Sequence, residues 1–342
     1  MSTVHSPKVT LQINLAPTDL PHARHILPHQ LRQWAGQVDE ILFVVDLHQS
    51  QGRFSEGWKE RLPGLHLLIE KCCAQYPHAH ARTVDYSKEV AAQLAALFFG
   101  GKPVPVKDWV GGPFYSYFFG LYAAQHAYVL HMDSDMMYGG GSHTWVSEAL
   151  QLLTEQPDIL ACSPLPGPPT EDGSLRSQVL EPVPAPPLAF RDVRLSTRHF
   201  LLDKTRFSTR IKQLQLTQAA PRFRAWQAWL EGNPPYELPE IMFSRAMEQH
   251  GLQRIQFLGN TPGMWSLHPP YRSPLFYEQL PLFIQQIEAG EIPEGQRGCH
   301  DMNESMIDWS DVQKPLRERA AKHIKVVARR FSFSQTKARQ AR

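Results

Sequence analysis

Short apolar runs and longer amphipathic ones alternate along the first half of the chain. Val9 to Leu15 (VTLQINL) alternates polar and apolar residues until Ala16-Pro17 stops it, as a strand entering a loop does. Val38 to Asp46 (VDEILFVVD) carries an unbroken apolar run, which suits a strand covered on both faces and hence a parallel sheet. Ala81 to Asp85 reads as a third short strand. Between these lie helical patterns at His22 to Gln37, which Thr18 and Asp19 can cap, and at Trp58 to Tyr76. Pro28 lacks an N–H and is expected to end or kink the first of them. Strand, helix, strand, helix predicts a doubly wound α/β layer.

Phe114 to His126 (FYSYFFGLYAAQH) reads as a buried helix, followed at once by a strand, Ala127 to Met132. That strand delivers Asp133-Ser134-Asp135 at its carboxyl end, where open α/β sheets bind their ligands. A helix over Ser142 to Glu155 and a strand over Ile159 to Cys162 follow. Eight of the 25 residues from Ser163 to Pro187 are proline, predicting an extended excursion that serves as a lid, an acceptor loop or a plain surface insertion. Beyond it come a strand at Arg194 to Leu202 and a helix at Ala219 to Trp229. Another helix opens at Glu237-Leu238-Pro239-Glu240, runs to His250 and is closed by Gly251. Leu252 to Leu258 returns to the sheet, and Gly259 to Pro270 is a loop holding Trp265 and His268.

At 342 residues the chain is long enough for one large α/β domain or two smaller ones, and 42% hydrophobic with 20% charged residues is ordinary for a globular fold. The N-terminus lacks a secretory pattern, and no stretch approaches the ~20 apolar residues of a membrane span. A cytoplasmic protein is expected. The four cysteines, at 72, 73, 162 and 299, show no spacing for a zinc site or disulfide framework. The net charge of +2 conceals an asymmetry: from Lys314 onward ten Lys or Arg face one acid, Glu318, leaving 25 bases against 32 acids in the remainder. This tail suits a helix lying on anionic lipid, peripheral at the inner membrane face; a solubilising terminus or weak nucleic-acid affinity fits equally.

Two carboxylates one residue apart, with an apolar strand before and Gly139, Gly140 and Gly141 after, make a compact site for Mg2+ or Mn2+. Such ions prefer oxygen and are commonly held by one or two carboxylates together with substrate phosphates. The plain alternative is that both acids cap the following helix. His22, His25 and His29 resemble a ligand cluster, yet Pro28 breaks their spacing and a solvated face is expected. Tyr115, Tyr117, Trp226, Trp229 and Trp265 could stack on sugar rings, although aromatic residues at helical spacing usually fill a core.

The run YVLHMDSDMM, preceded by a helix ending AAQH, resembles the Asp-x-Asp region of family 2-like GT-A glycosyltransferases. VDEILFVVD is similar to their second strand, and Glu240 stands eleven residues ahead of Gly251, as that family's general base does before its glycine. The family's Glu-Asp pair is Pro239-Glu240 here, and its Pro-x-x-Asn after the first strand is only loosely echoed by Ala16-Pro17-Thr18. The resemblance implies a mixed, mainly parallel sheet flanked by helices. It divides the chain into a transferase domain at 1–310, with a nucleotide-binding half about 1–140 and an acceptor half about 141–310, and a basic helical tail at 311–342. It assigns the Mn2+ or Mg2+ to Asp133 and Asp135 with His268, and the nucleotide to Asp46 and Asp133 with Ala16 and Asp85. Glu240 becomes the base, with Glu237 as its rival.

The implied reaction transfers a sugar from a nucleoside diphosphate sugar, a UDP-sugar favoured, to a hydroxyl of a glycan or lipid-linked acceptor with inversion, and no nucleic acid takes part. A helix N-terminus is expected to keep Glu240 ionised. The alternative of a sugar-phosphate nucleotidyltransferase needs a glycine-rich loop after the first strand, and LAPTDLPHARH supplies none. A non-catalytic nucleotide-sugar-binding module is the other alternative.

Overall fold

Strand β1 (Val9–Leu15) lies between β2 (Glu40–Val45) and β4 (Tyr128–Asp133), parallel to both, with Leu15 opposite Val45 and Asn14 opposite Asp133. The computed structural model describes residues 7–49 and 57–312. That shared register brings the ends of three strands out along one edge of the sheet.

In chain order the elements run β1, α1 (Leu20–Trp34), β2, α2 (Trp58–Gln75), β3 (Ala79–Thr83), α3 (Lys88–Phe99), α4 (Tyr115–Ala123), β4 and β5 (Met137–Gly139). The second part follows as α5 (Trp145–Glu155), β6 (Ile159–Pro166), β7 (Glu181–Val183), β8 (Ala189–Asp192), β9 (His199–Asp203) and the single turn α6 (Lys204–Arg206). It closes with α7 (Arg222–Glu231), α8 (Pro239–Gln249), β10 (Gln253–Phe257), β11 (Trp265–Leu267) and α9 (Pro274–Ala289).

The sheet order is β3-β2-β1-β4-β9-β6-β10-β8-β7, with β11 joining β5 and β6 at the side. Strands β3, β2, β1, β4, β6 and β10 share one direction, whereas β9 is wedged antiparallel between β4 and β6. The fold is thus the mixed, mainly parallel α/β sheet that the sequence implied. Both faces are covered. Val9, Leu11, Ile13 and Leu15 pack with Phe43 and Leu130 under α1 and α5, while Leu42, Val44 and Val129 join the aromatic side chains of α4 on the other face. This is why the second strand reads as an unbroken apolar run. A third apolar cluster gathers Trp265, Phe276 and Phe283 around α9.

Several expectations are corrected. Helix α1 runs through Pro28 to Trp34, the lost hydrogen bond being outweighed by burial of Leu27 and Leu31 on either side. The Pro-rich stretch is not wholly irregular, since β6 extends to Pro166 and β7 lies within it. The strand expected from Arg194 starts only at His199, and the loop before Pro270 contains β11. Helix α9 carries no counterpart in the sequence reading. The basic tail from Lys314 lies outside the described residues, among which no helix is long and apolar enough to cross a membrane.

Candidate active site

The strand ends converge as the register requires. Ala16 follows β1, Asp46 follows β2, and Asp133 to Asp135 form the end of β4 and the turn after it; all of them line one cleft with Lys107 and Arg272. Asp46 is held by three donors: Tyr86 Oη and the His48 amide, each 2.9 Å from Oδ1, and Lys107 Nζ, 3.4 Å from Oδ2. A carboxylate so braced has little rotational freedom left. Ala16 donates its amide to Asp19 Oδ2 at 2.8 Å, closing the turn between β1 and α1. Burial pushes the Asp19 carboxyl up to about 6, against the opposing pull of Arg272.

The two acids of the turn differ sharply. The Asp133 side chain is 40% exposed and 3.4 Å from His131, while that of Asp135 is 2% exposed. Burial alone would raise the Asp135 carboxyl, but the Arg272 guanidinium paired with its Oδ2, helped by His268 at 3.8 Å, holds it below the usual carboxylate range. Its other oxygen, Oδ1, is buried without a hydrogen-bond partner. An orphaned anionic oxygen beside a half-exposed carboxylate is a donor set that a divalent cation suits. Among the described residues no three His, Cys, Asp or Glu side chains form a ready metal cage, so a cation here needs further oxygens from a ligand. The turn itself is pinned from below, with Ser134 Oγ 3.0 Å from His22 Nε2, and Gln30 donating to the Asp133 and Met136 carbonyls.

His268 follows β11 and turns its Nδ1 to Asp301 Oδ1 at 2.9 Å. Asp301 also accepts from Arg198 Nη1 at 3.3 Å, and the charge of Arg198 in turn acts on Glu240. A line of ion pairs thus runs from Asp135 through His268 and Asp301 to Arg198, whose charge acts on Glu240 from farther off. Tyr117, buried beneath the site, feels both Asp133 and Glu240 and is pushed well up, by burial first.

Glu240 sits in the first turn of α8, half-buried, and accepts the Thr197 amide. Burial raises its carboxyl above the ordinary glutamate value, against the opposing pull of Arg198 and the Thr197 amide. Glu240 does not line the Asp46 cleft. It faces a neighbouring cavity of about 740 Å3, together with Asp192, Ser244, Arg245 and Arg254. Glu237 is 1% exposed and its carboxylate accepts the Ala220 and Leu238 amides at 3.4 and 3.3 Å, which ties it to its own loop.

Asp85 departs from its expected place. Its carboxylate is exposed, caps the Ser87 amide at 2.7 Å and does not line the cleft. His22 and His29 are not on a solvated face: both are buried, His29 against Glu288 of α9 at 2.7 Å. Residues that the sequence reading missed are Arg272, Asp301, Arg198 and Lys107. Only Arg272, four residues beyond His268 in HPPYR, stood near a singled-out position.

No family model and no curated protein matches the chain. Among solved structures, S. aureus TarS in complex with UDP-GlcNAc aligns over 84% of this chain and 68% of its own, at 10% identity and a TM-score of 0.37. Mycobacterium tuberculosis glucosyl-3-phosphoglycerate synthase with Mn2+, UDP and glucosyl-3-phosphoglycerate aligns over 82% and 77%, at 12% identity and a TM-score of 0.34. Apo mouse xyloside xylosyltransferase 1 aligns over 72% and 83%, at 13% identity and a TM-score of 0.34. At such TM-scores the likeness is loose, and the chemistry of the site rests on its own residues.

Proposed function

We propose that the chain is a metal-dependent glycosyltransferase that moves a sugar from a nucleoside diphosphate sugar, a UDP-sugar favoured, to a hydroxyl acceptor with inversion. The observation that carries this reading is the convergence, at one sheet edge, of Asp46, Asp133 and Asp135, the last with a buried carboxylate oxygen lacking any partner.

Asp133 and Asp135, with His268, would hold Mn2+ or Mg2+, which supplies Lewis-acid neutralisation of the departing diphosphate. Asp46 would accept from the nucleobase, its aim fixed by Tyr86, His48 and Lys107. The space in the cleft, about 170 Å3, is below the roughly 300 Å3 at which small-molecule sites begin. Donor binding therefore asks Arg272 to leave Asp135 and turn to the phosphates, exchanging one anion for another.

Glu240 would take the proton of the acceptor hydroxyl, and its raised pKa makes it a better base than a solvated glutamate. A glycan or lipid-linked acceptor would reach it through the 740 Å3 cavity. The charged line through Arg198, Asp301 and His268 would keep base and leaving-group residues in one frame.

A thermal-shift panel of UDP-, GDP-, CMP- and dTDP-sugars, with and without Mn2+, tests the reading. A Mn2+-dependent rise with one nucleotide class, lost in Asp135→Ala, is expected. No response to any donor sinks it.

A further inference from the structure

The cavity that Glu240 faces has a buried side whose chemistry the transfer step leaves unused. Arg254 of β10 and Asp192 of β8 stand opposite each other in the antiparallel ladder, and both line that cavity. Arg254 is 4% exposed. Its Nη2 donates to Asp192 Oδ2 at 3.1 Å, while Nε and Nη1 are buried without a partner. Those two nitrogens carry three of the five N–H donors of a guanidinium. Buried donors without an acceptor are costly, charged ones most of all, and an acceptor brought by a ligand removes that cost.

Asp192 cannot supply what is missing. Its Oδ1 accepts the Arg194 amide at 2.9 Å and Arg194 Nε at 3.2 Å, and its Oδ2 accepts Gln256 Nε2 at 3.5 Å besides Arg254. The remaining charges on the lining are Glu240, Arg245 and Glu248. Arg245 and Glu248 are exposed, lie three residues apart on α8 and offset each other, while Glu240 is opposed by Arg198. Asp192 is thereby left as one carboxylate shared by two guanidiniums, those of Arg194 and Arg254. Burial lowers the Arg254 pKa against the pull of Asp192, as befits a buried cation whose counter-charge is incomplete. A neutral hydroxyl would satisfy the idle donors and leave the charge; an oxyanion satisfies both.

The position suits an acceptor. Glu240 and Arg254 share the cavity, and the charge of Glu240 acts on Arg254. We propose that the acceptor is a hydroxyl compound that also carries an oxyanion, a phosphate or a carboxylate, which Arg254 binds while Glu240 takes the proton of the hydroxyl. As an account of the acceptor this rests on the transferase reading; the oxyanion site itself does not.

The full chain is titrated calorimetrically with glycerol phosphate, glycerate and glycerol, in the absence of metal and nucleotide sugar. Binding of at least one of the two anions, with none of glycerol, is expected, and the stronger anion tells phosphate from carboxylate. Arg254→Gln should weaken that binding at least about tenfold. Because this substitution also deprives Asp192 of a partner and can cost the fold, Val193→Glu serves as a second variant. Val193 is 51% exposed on the same lining, so the added carboxylate is expected to leave the melting temperature unchanged and to weaken anion binding several-fold by repulsion. Glycerol binding as well as the anions, or no anion binding at all, overturns the proposal. Anion affinity unmoved by either substitution in a folded variant places the anion outside this cavity and overturns it too. Nucleotide sugars are titrated separately: their failure to bind would sink the transferase reading while leaving the oxyanion site in place.

Discussion

Arg272 closes an ion pair onto Asp135, the buried second acid of the Asp133-Ser134-Asp135 turn, and leaves the opposite carboxylate oxygen without a partner. One acid therefore has a cation on one oxygen and unused lone pairs on the other. Since Arg272 comes from the loop before α9, the pair also ties that loop to the end of β4.

Arg272→Gln removes the counter-charge from an enclosed carboxylate. Stability is expected to fall by about 3 kcal/mol, and Mn2+ is expected to restore most of it by taking the vacated place. Urea unfolding with and without Mn2+ measures both. Donor affinity should drop about tenfold in the same variant; an unchanged affinity would remove Arg272 from the phosphate site.

Glu240 and Glu237 are distinguished by what each touches. Glu240→Gln is expected to cut turnover by roughly 10²–10⁴-fold with donor affinity intact. Glu237→Ala strands two backbone amides and should cost about 2 kcal/mol of stability while turnover survives. Because burial raises the Glu240 carboxyl, turnover should decline as pH falls through a midpoint above the ordinary glutamate value of 4.5. Arg198 opposes that rise, so Arg198→Gln should move the midpoint higher still. A pH profile indifferent to Arg198 would break the link.

The buried histidines set an acid limit on the fold. Burial lowers His22 from 6.5 to about 3, and it lowers His199 and His300 too. In the window between these values only the unfolded chain takes up the protons. Stability is therefore fully present above the unfolded pKa and lost as pH falls towards the folded one, by about 1.4 kcal/mol per pH unit for each histidine. His22→Gln should flatten urea-derived stability against pH by one proton. A slope unaltered by that change would show that His22 is not among the groups responsible.

Gly140 stands just after the acid turn with φ +92, and a Cβ there would run into the Gly263 carbonyl, which also accepts the Ser142 amide at 2.9 Å. Gly140→Ala should cost about 2 kcal/mol or more, since both backbone conformation and space forbid the methyl. Mn2+ binding should weaken with it, because β5 and β11 meet at this turn. Calorimetric titration reads the second effect, and undiminished Mn2+ affinity would uncouple the turn from the site.

The strands that build the cleft were legible because their signal is local. An apolar run bounded by a turn residue reports burial on both faces wherever the chain goes next, and β1, β2 and β4 fall within a residue or two of where the pattern put them. Asp133 and Asp135 were visible for the same reason, and so was the start of α8 at Pro239-Glu240. Pro28 misled because the local cost of a missing hydrogen bond is smaller than the packing that α1 gains by continuing.

The amino-acid sequence alone determined that β1, β2 and β4 are strands, which end of β4 carries the paired acids, and that the sheet is covered on both faces, since each follows from the spacing of apolar side chains a few residues apart. Only the tertiary structure decided that β9 inserts antiparallel between β4 and β6. It also decided that Arg272 and His268 reach Asp135 from more than a hundred residues away, that Glu240 faces a second cavity, and that Asp85 turns back on its own loop. Those pairings are chosen by long-range packing and charge, which leave no periodic trace along the chain.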